Sequence, residues 1–220
     1  MAFVVAIDGP AGTGKGTVTK ILAERNELVY IDTGAMYRCV TLECLNRGIV
    51  PAENEKVKEV LKDIDIKLMP ERKVLLNGND VTEEIRTPKV DKFVAKFAEL
   101  KEVRDALTPM QREMGQSTDV IMEGRDIGTV VFPNANVKIF LDCTLEERAN
   151  RRYKQNLEKG IEQSYQEVLK AIIERHRLET EREIAPLVKS EDAILVDSTD
   201  MTIDEVVDTI EEIIRSKRND

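Results

Sequence analysis

Tryptophan is absent, histidine occurs once and cysteine three times in 220 residues. The cysteines, Cys39, Cys44 and Cys143, form no C-x-x-C pair and are odd in number. With a single histidine they exclude the common Cys/His zinc patterns and a disulfide scaffold. A reducing compartment, the cytoplasm, is expected. Long hydrophobic runs are missing as well. No segment approaches the roughly 20 apolar residues of a membrane span. The opening run AFVVAI is too short for a signal sequence and meets Asp8 at once. Basic charge is also in deficit: 33 Lys and Arg against 42 Asp and Glu leave a net charge of -9. A general nucleic-acid binder would carry a basic face, so that class is excluded. Small anionic ligands are not, because a few arginines can line one pocket.

What remains is a chain of 41% hydrophobic and 34% charged residues, able to bury a core and stay soluble. Short apolar runs, Phe3 to Ile7, Leu28 to Ile31, Val120 to Met122, Val137 to Leu141 and Ala193 to Val196, are continuous rather than alternating. That is the pattern of parallel strands covered on both faces. Helical stretches lie between them, three opened by capping-box patterns at Thr144 to Glu147, Ser164 to Glu167 and Thr202 to Glu205. The last helix puts Ile203, Val206, Val207, Ile210, Ile213 and Ile214 on one stripe. The alternation predicts a doubly wound α/β fold. Ile64 to Ile85 interrupts it with short strands and an Asn77-Gly78 hairpin signal, a small antiparallel insertion. A single 220-residue domain carrying this small insertion is expected.

Four motifs carry chemistry. Gly9-Pro10-Ala11-Gly12-Thr13-Gly14-Lys15 follows the first strand and opens a helix whose Val18, Ile21 and Leu22 face one way. Glycines let backbone N–H groups curl around phosphate, the helix N-terminus adds positive potential, and Lys15 reaches the outer phosphates. The next position should carry a hydroxyl for magnesium, yet it is Gly16, with Thr17 one step late. The second motif, YIDTGAMYR (Tyr30 to Arg38), sits at a carboxyl strand end, where Thr33 can begin a helix and Arg38 can enter a cleft. The third, EGRDIGTVVFP, places Glu123, Arg125 and Asp126 at another such end. The fourth is an arginine-rich stretch from Glu147 to Arg182. Arg148, Arg151 and Arg152 share a helix face there, and Arg175, Arg177 and Arg182 follow among glutamates. A salt-bridged solvent helix explains that alternation equally well. His176 has no partner in the sequence and reads as a surface residue.

DGPAGTGKGT, IDTGAMYR, EEIRT, EGRDIGTVVFP, KIFLD, EERANRR and REIAPL stand in one order along the chain. In that order the chain resembles the nucleoside monophosphate kinases, and among them the bacterial cytidylate kinases. The resemblance spans essentially the whole sequence. It implies a P-loop fold with a five-stranded parallel core (1–62, 101–150 and 184–220), a monophosphate-binding insertion (about 63–100) and a mobile helical lid (about 151–183). Its Gly-Lys-Gly-Thr loop is a variant known in these kinases, so Gly16 is no defect. The implied reaction moves the γ-phosphoryl of ATP to CMP or dCMP, with Mg2+, in a cytoplasmic monomer that needs neither nucleic acid nor membrane. By motif, Gly9 to Thr17 with Arg148 and Arg152 would bind ATP. Lys15, Arg125 and Arg182 would be catalytic. Arg38 and Arg125 would grip the acceptor phosphate, Arg104 and Asp126 would read cytosine, and Thr33, Arg175 and Glu179 would lie near the sugar. Thr17, and Glu123 through water, would serve the metal. The chain departs from the family at Ala95, where a serine is usual, and at His176 and Glu179, where aspartates are usual. The lid segment, charged and poor in large apolar anchors, is expected to dock weakly.

Overall fold

A computed structural model describes residues 2–219. The chain divides into two compact units, one of residues 1–30 and 117–220, the other of 31–116.

The first unit is built on a parallel sheet. Its strands are β1 (Val4–Asp8), β2 (Val29–Asp32), β6 (Val120–Gly124), β7 (Val137–Asp142) and β8 (Ile194–Asp197), in the order β2-β6-β1-β7-β8. β1 pairs in parallel with β6 and β7, and β7 with β8. All five residues of β1 are buried, as its continuous apolar run requires of a central strand. The edge strand β8 departs from expectation. Ile194 and Leu195 are 42% and 56% exposed and only Val196 is buried, because an end strand has one neighbour and one covered face. Helices α1 (Lys15–Arg25) and α8 (Ile203–Asn219) lie together on the sheet. Leu22 and Val18 join Val207, Ile210 and Ile214 over Val5, Ile7 and Ile139 in one cluster. The stripe of α8 is shorter than its periodicity suggests: Ile203, one residue past the cap, is 52% exposed.

Of the expected capping boxes, those at Ser164 and Thr202 form fully. At Thr144 only half forms. Its hydroxyl accepts the Glu147 N–H, but the Glu147 carboxylate takes Arg151 Nε at 2.8 Å instead of closing the box. α6 (Leu145–Glu158) and α7 (Tyr165–Glu181) make a helical hairpin, with Tyr153 edge-on to Tyr165 at 6.0 Å. Its burial is small, as expected: Val168 and Ile172 are covered, whereas Leu157 and Ile173 are about half exposed.

The second unit has its own core. It contains α2 (Thr33–Asn46), α3 (Asn54–Lys62), α4 (Pro88–Glu99) and α5 (Lys101–Met114). A small antiparallel sheet completes it: β3 (Ile66–Leu68), β4 (Val74–Leu76) and β5 (Asn79–Asp80), in the order β3-β4-β5. The hairpin at Asn77-Gly78 is present, both residues having positive φ (50° and 80°). The sequence places residues 31–62 and 101–116 with the α/β core; the structure does not. Met36, Val40, Val57, Val60 and Leu107 bury against Ile66, Leu76, Ile85 and Phe97 in one cluster, so these helices belong with the insertion. The apolar faces, not the order of motifs, draw the boundary.

Truncation of Ile210 to alanine should destabilise the protein by roughly 2–4 kcal/mol, the cost of a lost buried side chain plus its cavity. Ile203→Ala should change stability by no more than about 0.5 kcal/mol. Urea unfolding followed by circular dichroism compares the two directly.

Candidate active site

Three loops at the carboxyl edge of the first unit's sheet carry the charged motifs. β1 ends at Asp8 and the glycine-rich loop follows at once. This loop is packed too closely to accept side chains at two points. Gly9 has φ 148°, and a Cβ there would lie 2.0 Å from the Leu141 carbonyl oxygen. Gly12 has φ 89°, and its Cβ would lie 3.0 Å from Cβ of Arg148 and 3.1 Å from that residue's carbonyl oxygen. Only glycine meets both demands. Pro10 and Ala11 complete the bend, and Gly14 caps α1 in the left-handed region. The Lys15 side chain is buried. Its Nζ donates to the Pro10 carbonyl at 2.6 Å and to Thr13 Oγ1 at 3.3 Å. Burial pushes Lys15 down from 10.5 to about 7, and Arg125 pushes the same way against Glu123, Glu179 and Asp8. Gly16 is half-buried and Thr17 exposed, in the first turn of α1.

Opposite charges meet behind the loop. Glu179 is 5% exposed: one oxygen accepts from Arg175 Nε at 2.9 Å, and the other forms an ion pair with Arg125 Nε at 2.9 Å, out of line for a good hydrogen bond. Burial alone would raise its pKa, but the two guanidiniums overcome that and hold it at about 2. Arg125 also donates to the Gly124 carbonyl at 3.1 Å. The Arg182 side chain is buried. Its Nε donates to the Ala185 carbonyl at 2.7 Å, and its guanidinium lies 3.8 Å from the buried Asp126 carboxylate. Glu123 accepts the Tyr30 hydroxyl on Oε1 and is itself buried. Lys15, Arg125, Asp126, Arg175, Glu179 and Arg182 thus belong to one connected set of charges. Among the described residues, no three His, Cys, Asp or Glu gather as a metal cage.

The arginine-rich stretch resolves into two faces. Arg177 is a surface residue bridging Glu174 and Glu181, as the solvated-helix reading holds. Arg175 and Arg182 turn inward. Arg148 is 4% exposed, beneath Gly12, and its guanidinium stands 3.5 Å from His176 Nδ1. His176 is therefore not the surface residue its sequence suggests: one turn before Glu179 it shares the inward face of α7, and burial together with Arg148 lowers its pKa. Arg152 donates to Gln155 at the hairpin surface.

The second unit holds the remaining expected residues. Thr33 opens α2 and is buried, the helix being capped by Asp32, which accepts the Ala35 N–H. Arg38 is pinned by Asp91 and donates to the Ile85 carbonyl at 2.9 Å. Arg104 is 4% exposed, donates to the Ala98 carbonyl at 3.0 Å, and lies over the Tyr37 ring at 5.5 Å. Ala95 is buried on α4.

A cytidylate kinase family model matches residues 5–216. The chain is 51% identical to a cytidylate kinase of Carboxydothermus hydrogenoformans over 219 residues, 98% of each chain. It is 46% identical to that of Bacillus subtilis, covering 97% of this chain and 96% of the relative. The chain belongs to the cytidylate kinase family. Solved structures agree on the fold. A gluconokinase from Sinorhizobium meliloti superposes with a TM-score of 0.51 at 14% identity, over 99% of this chain and 94% of that one. A shikimate kinase from Bacteroides thetaiotaomicron does so at 0.50 and 11%, over 97% and 98%.

Sequence reasoning passes over four residues of this family member that the geometry brings forward. Tyr30 orients Glu123, and Asp91 pins Arg38. Arg151 ties the phosphate loop to the end of β8, donating to the Thr13 carbonyl at 3.0 Å and the Ser198 carbonyl at 2.6 Å. Asp8 is the fourth. Only Asp8 leaves a sequence signal, as a lone acid ending an apolar strand directly before the loop. The partners of the others are too distant along the chain.

The depressed Lys15 has a measurable consequence. Phosphate anions favour the ammonium form, so binding ATP raises its pKa back toward 10.5. Binding should therefore take up a proton between pH about 7 and 10, approaching one proton near the middle of that window. Titration calorimetry at pH 8.5 in buffers of different ionisation enthalpy measures the uptake. It should vanish in Lys15→Met.

Proposed function

We propose that this protein transfers the γ-phosphoryl group of ATP to CMP or dCMP, giving ADP and CDP or dCDP. The supporting observation is the connected set of buried Lys15, Glu179 and Arg182 side chains with the half-buried Arg125 and Arg175, beside a glycine-rich phosphate loop. It is an arrangement for holding and neutralising phosphate, with no Ser/His pair in the set. The reaction requires none. The acceptor phosphate is already an anionic oxygen nucleophile, so the protein must align, neutralise charge and exclude water.

Residues 9–17, with Arg148 and Arg152, would hold ATP, and Lys15 would reach the phosphates between which transfer occurs. Arg125 and Arg182 would neutralise the charge that spreads over the transferring group. In the first unit, Asp126 would accept from the exocyclic amino group of cytosine, and Arg175 and Glu179 would lie near the sugar. In the second, Arg104 is assigned to the base, Arg38 to the acceptor phosphate and Thr33 to the sugar. Magnesium fits the oxygen donors present: the oriented Glu123 carboxylate, through water, and the exposed Thr17 hydroxyl would hold it. When bound, the ion neutralises phosphate charge. Three buried free thiols suit a reducing compartment, and we place this monomer in the cytoplasm.

A coupled ADP-release assay with ATP, Mg2+ and a panel of CMP, dCMP, UMP, AMP and shikimate tests the reading. CMP and dCMP should be the best acceptors; a clear preference for another member overturns it. In the same assay Lys15→Met should lower turnover by a factor on the order of 10³ with the fold retained. Arg182→Ala should slow phosphoryl transfer by roughly 10²–10⁴-fold while leaving ATP affinity nearly unchanged. Normal turnover in Arg182→Ala would make that arginine a structural tether of the Ala185 bend.

A further inference from the structure

Asp8 ends β1, one residue before Gly9, and is 6% exposed. Its two carboxylate oxygens are used separately. Oδ1 accepts the Ile127 N–H at 2.8 Å and Oδ2 accepts the Gly128 N–H at 2.7 Å. Those N–H groups begin the π-helical turn Ile127–Val131, which directly follows Arg125 and Asp126. The first N–H groups of a helical turn have no partner within it, and here a buried carboxylate from another strand supplies one. The Asp126 carbonyl is held from the other side, accepting the N–H of Val130 at 2.9 Å and of Val131 at 3.2 Å.

The turn has no room to slide. A Cβ on Gly128 would lie 3.2 Å from Cδ of Lys138 and 3.4 Å from Oδ2 of Asp8. Lys138 is fixed in turn, donating to both oxygens of Asp192 at 2.9 and 2.7 Å. Two adjacent N–H donors demand two acceptors, and the aspartate carboxyl presents one oxygen to each. Burial is the largest influence on Asp8 and raises it to about 6, against the opposing pull of the two N–H groups and Lys15 and with a further push from Asp126. Its folded pKa lies above its ordinary 3.8. The stability gained by holding the proton is complete below that value and is lost as pH rises through about 6. At neutral pH the side chain is ionised, and each of its oxygens serves one of the two N–H groups.

We propose that Asp8 is a positioning residue for acceptor recognition: through the Ile127 and Gly128 N–H groups it sets where Arg125 and Asp126 stand relative to the phosphate loop that begins beside it. The inference rests on the reading of Arg125 and Asp126 as acceptor contacts. Asp8→Asn tests it. The amide keeps the shape but has one acceptor, so its NH2 must face an N–H and the turn must shift. The KM for CMP should rise roughly tenfold, the scale of one misplaced buried hydrogen bond. The ratio of kcat/KM for CMP to that for UMP should fall by a similar factor, while the KM for ATP stays within about twofold. A variant that was merely less well folded would lose kcat equally for both acceptors and keep both KM values.

Gly128→Ala crowds the same contact with a new Cβ against Asp8 and Lys138, and a drift of about threefold in the same direction is expected. If Asp8→Asn fails to fold by circular dichroism, Gly128→Ala decides alone. Should the wild type clearly prefer another acceptor over CMP and dCMP, the functional reading fails and the inference falls with it. Should the wild type prefer CMP while the folded variants keep that preference and the CMP KM, the positioning role is overturned and the functional reading stands.

Discussion

Buried positive charge must be balanced where it sits, and in the first unit Glu179 does most of the balancing. A guanidinium removed from water without a partner is among the most costly groups a fold can hold. Arg125 and Arg175 approach one carboxylate from two sides, each on its own oxygen, and hold it ionised far below the usual range. This is what allows two arginines to stand close together beside a phosphate loop against their mutual repulsion. Arg182 and Asp126 repeat the principle at a longer distance. The acids of the site thus serve first to keep its cations in place.

The backbone imposes the second constraint. The phosphate loop lies against the β7 and α6 backbones at Gly9 and Gly12, and Arg151 binds its Thr13 carbonyl from α6. The loop is therefore shaped by neighbours that arrive more than 120 residues later in the chain, so its geometry depends on the completed sheet. Asp8 extends the same logic one residue upstream, passing the position of β1 to the turn after Asp126.

Two hydrophobic cores underlie the two units, one centred on β1 and the other on α2 and α5. Cys39 and Cys44 belong to the second core and Cys143 lies in the first unit. Burial raises Cys39 and Cys44 to about 12 and 11, which makes them packing groups without thiolate reactivity at neutral pH.

Local pattern was enough to determine the strands and helices, the Asn77-Gly78 hairpin, two of three capping boxes and the phosphate loop. Each of these depends on interactions within a few residues, which periodicity and turn chemistry report directly. The family, too, was legible from motif order alone. Tertiary structure decided what local pattern cannot carry. It turned Arg175 and Arg182 inward while leaving Arg177 in solvent, though all three sit in the same alternation of Arg and Glu. It drew His176 under cover, left Ile203 and Leu195 exposed, and diverted Glu147 from its cap to Arg151. It also moved α2, α3 and α5 out of the expected core and onto the small sheet. In each case the deciding partner is remote in sequence or the strand lies at an edge. A side chain's periodicity says which face it shares, but only packing says what that face meets.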